Sequence, residues 1–163
     1  VSAVDLAWGT AYDRFIEEAW PLIRTHWEEV GSNRDILRLN PDHDRYRSLE
    51  RAGVLHILLA RTGGAIAGYM FLLVSRHPRD MAAMVATDDV IYVRPEYRRL
   101  GVGRLLIDEA IRFAGELRVH IVMFHAKARR RNSNYLARWG FRPHEIVYSK
   151  VIAKPQRLAE AAE

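Results

Sequence analysis

Between Gly101 and Leu117, the apolar residues Val102, Leu105, Leu106, Ala110, Phe113, Ala114 and Leu117 fall on one side of a 3.6-residue period. Arg104, Asp108, Arg112 and Glu116 fall on the other, which predicts an amphipathic helix over about 101–117. The next stretch, 118–125, holds Val119, Ile121, Val122, Met123 and Phe124, a near-continuous apolar run that reads as a strand covered on both faces. Upstream, 54–60 and 65–74 read as strands joined by a turn at Thr62-Gly63-Gly64, and 81–93 completes an antiparallel meander after the His77-Pro78-Arg79-Asp80 loop. A helix separating two strands acts as a crossover, so 118–125 is expected to lie parallel to 81–93.

The N-terminal third has a helical period too. Leu6, Tyr12, Phe15, Ile16, Ala19 and Trp20 recur at near-helical spacing, and Trp20-Pro21 restarts the pattern toward Ile23 and Trp27, predicting two short helices. Asn40-Pro41 places a capping side chain ahead of a proline suited to a first helical turn, so a helix is expected to run to about Ala52 before Gly53 stops it. Residues 132–139 predict a short helix and 141–152 the last one or two strands. The whole is a mixed α/β (α+β-like) fold: a mostly antiparallel central sheet of about six to seven strands with flanking helices. A single domain is expected over 1–153, with 154–163 a flexible tail.

Composition narrows the class. With 163 residues, 49% hydrophobic and 28% charged, the chain can bury a core as one domain. No apolar run approaches the roughly 20 residues that span a bilayer, and no secretory pattern opens the chain, which predicts a cytoplasmic protein with no membrane partner. The absence of cysteine excludes disulfides, thiol nucleophiles and thiolate metal sites. His120 and His125, five apart on a strand, face opposite sides, and no His/acid cluster supports a metal; none is expected. The net charge of +5 favours anionic partners, and basic residues concentrate at 94–104 and at Lys127, Arg129, Arg130 and Arg131.

The first basic cluster coincides with Arg98, Arg99, Leu100, Gly101, Val102, Gly103 and Arg104, two glycines and their arginines opening a helix directly after a strand. A helix start presents backbone N–H groups without intrahelical partners, and glycine lets a phosphate approach where a Cβ would block it. The segment has neither the third glycine of a dinucleotide fingerprint nor the Gly-Lys-Ser/Thr ending of a nucleotide loop, so a different phosphorylated ligand is indicated.

The run from Asp88 through Leu106 resembles the acetyl-CoA-binding motif of the GNAT family of N-acetyltransferases, Arg/Gln-x-x-Gly-x-Gly/Ala. Asn134-Tyr135-Leu136-Ala137-Arg138-Trp139-Gly140-Phe141 resembles that family's later helix ending in Gly-Phe, and the resemblance spans about 54–151. It implies a parallel, splayed strand pair that binds acetyl-CoA, with main-chain groups of Ile91, Tyr92 and Val93, the 98–104 loop and Asn134 on the coenzyme, and an oxyanion-stabilising N–H around Val93. A protonated amine cannot attack, and at pH 7 an amine of pKa about 10.4 loses roughly 4–5 kcal/mol to protonation. Asp89 is therefore preferred by resemblance as general base, with Asp88 close behind; neighbours on a strand face opposite ways, so one of the two should face the site. The family's frequent acid, a tyrosine four residues before the Gly-Phe glycine, is Leu136 here, and Tyr135 stands one position earlier. His26 and Glu29 are candidates for an acceptor pocket, the alternative being an ordinary solvated helix face; Tyr92 and Trp139 read as core. The implied activity is acetyl transfer to a primary amine by direct attack in a ternary complex. A basic nucleic-acid-binding domain, a non-catalytic acyl-CoA sensor and homodimer formation stay open as alternatives.

Overall fold

The computed structural model describes residues 3–126, 133–153 and 155, leaving out the side chains of Ser133 and Asn134. The Lys127 to Arg131 cluster, the side chain of Asn134 and nearly all of the expected tail lie outside the described residues.

One five-stranded sheet forms the centre, with β1 (Val4–Trp8), β2 (Leu55–Thr62), β3 (Ala65–His77), β4 (Asp80–Val93) and β5 (Ile121–Met123) side by side in chain order. The first three pairings are antiparallel and β4–β5 is parallel, as the crossover by helix α3 (Val102–Glu116) requires. Helices α1 (Tyr12–Val30) and α2 (His43–Arg51) cover one face of the sheet. There Tyr12, Phe15 and Ala19 meet Ile57, Leu59, Tyr69 and Phe71. On the other face, Val102, Leu106, Ile107 and Ala110 of α3 pack on Leu58, Ala60, Ala67 and Met70. Each of the fully buried Val, Leu, Ile and Met side chains contributes roughly 1.5–3 kcal/mol of transfer free energy. Gly68 brings β3 and α3 this close: a Cβ there would stand 2.8 Å from the Tyr92 carbonyl and 3.3 Å from Leu106 Cδ1.

Several elements differ from expectation. Leu6 belongs to β1, not to a helix: Val4-Asp5-Leu6-Ala7-Trp8 alternates half-buried and exposed, a period of two that a helical count across Gly9 obscures. The two expected helices are one continuous α1 with Pro21 inside it. Proline removes the bond to the Glu17 carbonyl, but both residues lie on the exposed face, where that carbonyl is accessible to solvent. Helix α2 begins at His43, and its cap is Asp42, which accepts from the Arg45 N–H at 3.0 Å, in place of Asn40-Pro41.

β5 is shorter than 118–125, it is the edge strand, paired with β4 alone among the described residues, and it is not covered on both faces, since Ile121 keeps 49% exposure. Residues 141–152 form no strand; Ile146, Val147 and Tyr148 are exposed, Tyr148 at 88%. Hence five strands are described where six to seven were expected. An apolar run becomes a strand only where a neighbour takes its N–H and C=O groups, which composition alone does not supply.

The register between β3 and β4 shifts in mid-strand: Phe71 pairs with Val90 and Leu72 with Asp88, so Asp89 is an extra residue. This bulge bends β4 where β5 is about to leave it, the last parallel pair being Thr87 and Met123.

Candidate active site

Past the bulge, β4 runs into a 3₁₀ helix, Pro95–Leu100, and then into α3. Gly101 makes the junction at φ +81°, a conformation glycine adopts without steric cost, and no side chain caps the helix. The first intrahelical bond is Leu105 N–H to the Gly101 carbonyl at 3.0 Å, so the N–H groups of Val102, Gly103 and Arg104 open outward, with no acidic residue in that turn. Gly103 has space for a Cβ, whose nearest neighbour would be Val93 Cγ2 at 3.7 Å. Packing does not demand glycine there, although alanine would favour the helix by about 1 kcal/mol, and without a Cβ the main chain at this point is open to close approach. Arg99 and Arg104 stay exposed beside this cradle.

Arg98 does not join them. Its Nε donates to the Val93 carbonyl at 2.9 Å, its terminal nitrogen donates to Glu29 Oε2 at 2.5 Å, and its guanidinium lies 5.5 Å from the Tyr92 ring centre. The Arg94 N–H bonds to Ala67 on β3, so strand alternation turns the N–H of Val93 to the opposite side, beyond the end of β5. That main-chain donor faces the gap the two parallel strands leave.

A cavity of about 700 Å³ occupies this end of the sheet, beneath α1 and α2. Tyr12, Phe15, Tyr46, Tyr69, Phe71 and Tyr92 give it an aromatic wall, with Phe15 edge-on to both Tyr69 and Phe71. His26 stacks on Tyr92 at 4.4 Å, and its Nδ1 lies 2.7 Å from the Tyr69 hydroxyl, a hydrogen bond. Glu29 accepts from the Tyr92 hydroxyl at 3.2 Å. Burial pushes the Tyr46 phenol well up, and its hydrogen bond to Asp89 Oδ2 at 2.6 Å adds to that, so it stays a neutral donor.

The bulge puts both Asp88 and Asp89 on the cavity lining, because the extra residue breaks the alternation that would send them to opposite sides. Their environments differ. Asp89 is exposed, whereas Asp88 is 4% exposed and accepts from the His125 main-chain N–H at 2.7 Å, with His125 Nδ1 at 2.8 Å from the same oxygen. Burial raises the Asp88 carboxyl above the usual range, against the opposing pull of the His125 bonds.

Tyr135 also lines the cavity, while Leu136, one residue on, is 7% exposed and packs beneath α3. Trp139 is half-buried and donates to Asp108 Oδ1 at 2.5 Å. Sequence reading singled out His26 and Glu29 but missed Tyr46, Tyr69 and the pairing of His125 with Asp88. The only available signal was the expected parallel pairing, which brings the end of β5 beside Asp88 once the register is known. Among the described residues no group of three or more His, Asp or Glu is placed to hold a metal ion, and no helix is long and apolar enough to cross a membrane.

A family model described as the acetyltransferase (GNAT) family matches residues 14–141. The chain is similar in structure to the ribosomal-protein-alanine N-acetyltransferase of Brucella melitensis biovar Abortus 2308, with TM-score 0.64, 22% identity, and 93% of this chain and 99% of that one covered. It is also similar to an aminoglycoside acetyltransferase from an uncultured soil metagenomic sample, in complex with sisomicin, with TM-score 0.71, 16% identity and coverage of 93% and 97%. A predicted acetyltransferase with acetyl-CoA from Clostridium acetobutylicum aligns at TM-score 0.67 and 13% identity, covering 91% and 96%. Comparison by sequence with curated proteins gives no match.

Proposed function

The chain belongs to the GNAT family of acetyltransferases, and from that premise we propose that it transfers an acetyl group from acetyl-CoA to a primary amine seated in the aromatic cavity. The observation that carries this reading is the continuity of β4: one strand leads from the carboxylates of the bulge, past an outward main-chain N–H at Val93, to the uncapped glycine-opened start of α3. A pyrophosphate suits the N–H groups of Val102, Gly103 and Arg104, and the exposed Arg99 and Arg104 add positive charge. The Val93 N–H is the donor for the oxyanion that develops when the amine attacks, and Arg98 holds the following peptide through the Val93 carbonyl.

Without cysteine, transfer is direct in a ternary complex. Asp89, steadied by Tyr46, holds the incoming ammonium, and the aromatic wall takes its apolar body and adds cation–π attraction. Tyr135 borders the departing sulfur. The acceptor is thus a small amine with an apolar body.

Calorimetry with coenzyme A tests the cradle. Gly103→Val, whose Cβ has room, is expected to lose at least tenfold in affinity by filling the phosphate's approach, with its fold checked by circular dichroism. Equal affinity of a folded Gly103→Val protein removes the assignment. Thiol release from acetyl-CoA across a panel of small amines tests the transfer itself.

A further inference from the structure

We propose that His125 is the general base of this acetyl transfer, taking the acceptor's proton on Nε2, and that Asp88 is the residue that positions it. The proposal rests on the acetyl-transfer reading above and goes beyond it in naming the group that receives the proton.

The geometry is that of an oriented imidazole. Asp88 Oδ1 receives the main-chain N–H of His125 at 2.7 Å and stands 2.8 Å from its Nδ1. The main-chain bond is the next rung of the β4–β5 ladder after Thr87 and Met123, made by a side chain where the strands begin to part. The second contact is not needed for that rung. It orients the ring, giving Nδ1 the proton it donates to the carboxylate and leaving Nε2 as an acceptor. The Asp88 carboxyl is almost wholly enclosed, but the His125 side chain is 71% exposed and borders the cavity that also holds Asp89 and Tyr135.

A buried carboxylate is costly unless a cation or donor meets it, and a charge-assisted bond to imidazolium is among the stronger ones. Asp89 is the weaker choice for this work because the Tyr46 hydroxyl already engages it at 2.6 Å. Around the same cavity stand Asp89 of β4, Tyr46 of α2, His26 and Glu29 of α1, Arg98 and Tyr135. Of these side-chain types only histidine ordinarily changes charge between pH 5 and 8.

The steps balance as follows. The bound ammonium gives one proton to Nε2, and its freed lone pair forms the N–C bond to the thioester carbonyl carbon. The C–S bond breaks with its electrons remaining on sulfur. A second proton from the nitrogen passes to that sulfur through Tyr135 or water, so amide and free thiol result, and the imidazolium returns its proton to solvent.

The test is a pH series of kcat and KM for the wild type, His125→Gln, Asp88→Asn and Asp89→Asn, with the amine that the panel shows to be best. Without His125, kcat is expected to fall about a hundredfold or more near pH 7, with KM for acetyl-CoA unchanged, and to recover as rising pH deprotonates the amine unaided. Imidazole added to His125→Ala should restore part of kcat. In Asp88→Asn the acid limb should move to lower pH, and NMR titration of the His125 ring should move with it. A purely structural latch would shift neither. Asp89→Asn should raise KM for the amine more than it lowers kcat.

A His125→Gln protein within threefold of wild-type kcat overturns the base, and an acid limb lost in Asp89→Asn instead hands the role to Asp89. An unmoved His125 titration in Asp88→Asn overturns the positioning role without any need for turnover. A wild type that consumes acetyl-CoA with no amine removes the transfer reading and the base with it.

Discussion

At the scale of single residues, the contrast between Tyr135 and Leu136 sets the most informative expectation. The phenol borders the cavity, yet the coenzyme thiol has a pKa near 8.5, so protonating the thiolate at pH 7–8 gains only about 1–2 kcal/mol. Tyr135→Phe is therefore expected to lower kcat by less than about a hundredfold, a bound that steady-state kinetics with folded protein checks directly. Leu136→Tyr, which would place the phenol at the family's usual position, meets a filled core beneath α3 instead. It should cost about 1–3 kcal/mol of stability in denaturant titration without raising kcat. Arg98 carries a related lesson: its charge reads as phosphate-binding in sequence, but the fold directs it to Glu29 and the Val93 carbonyl.

Elements are joined by a few long-range polar contacts, and one of them titrates. Trp8 of β1 donates its indole N–H to Glu109 of α3 at 2.7 Å, and Arg112 donates to the same carboxylate oxygen at 2.6 Å. The Arg112 bond, aided by Trp8, holds the Glu109 carboxyl below its ordinary value of 4.5. A lowered acid contributes stability that is fully present above the unfolded value, near pH 4.5, and lost as pH falls through the lower folded value. Glu109→Gln should thus destabilise by about 1–3 kcal/mol at pH 7, with the gap to wild type closing in thermal melts below about pH 4. A gap that stays constant down to pH 3 would mean that the loss does not come from the ionised carboxylate. Helix α1 shows how an element survives a local breaker: the face that buries Tyr12, Phe15 and Ala19 before Pro21 continues after it in the half-buried Leu22 and Ile23, and Glu18, gripped by Arg61 of β2, ties its exposed side to the sheet.

For the whole molecule, charge is the property that reaches farthest. The net +5 and the exposed arginines at the start of α3 predict a coenzyme affinity that falls with ionic strength, as screening shortens from roughly 14 Å at about 50 mM salt to about 5–6 Å at about 300 mM. Calorimetry of coenzyme A at these two salt concentrations should show weaker binding at the higher one, and Arg99→Ala with Arg104→Ala should flatten the dependence. An equally steep dependence in the double variant would place the attraction elsewhere. The same exposure extends to apolar residues, for Ile146, Val147 and Tyr148 stand in solvent beyond the last described strand.

What the amino-acid order decided by itself was local: the stripe of α3, the Thr62-Gly63-Gly64 turn, the parallel return of β5 and the glycine-opened helix start. Each depends on a period or a turn residue contained within one element or one crossover, so short-range rules suffice. The resemblance to acetyltransferases is carried by those same segments. Contacts between distant parts were decided by tertiary structure. Tyr46 reaches Asp89 across 43 positions, His125 reaches Asp88 across 37, and Arg98 reaches Glu29 across 69. A single extra residue at Asp89 changes which side of β4 each carboxylate meets, and no periodicity in the sequence announces it. Register is settled by how whole faces pack, where a slip of one residue exchanges the two sides of a strand; the site's chemistry therefore emerges only when the sheet closes against its helices.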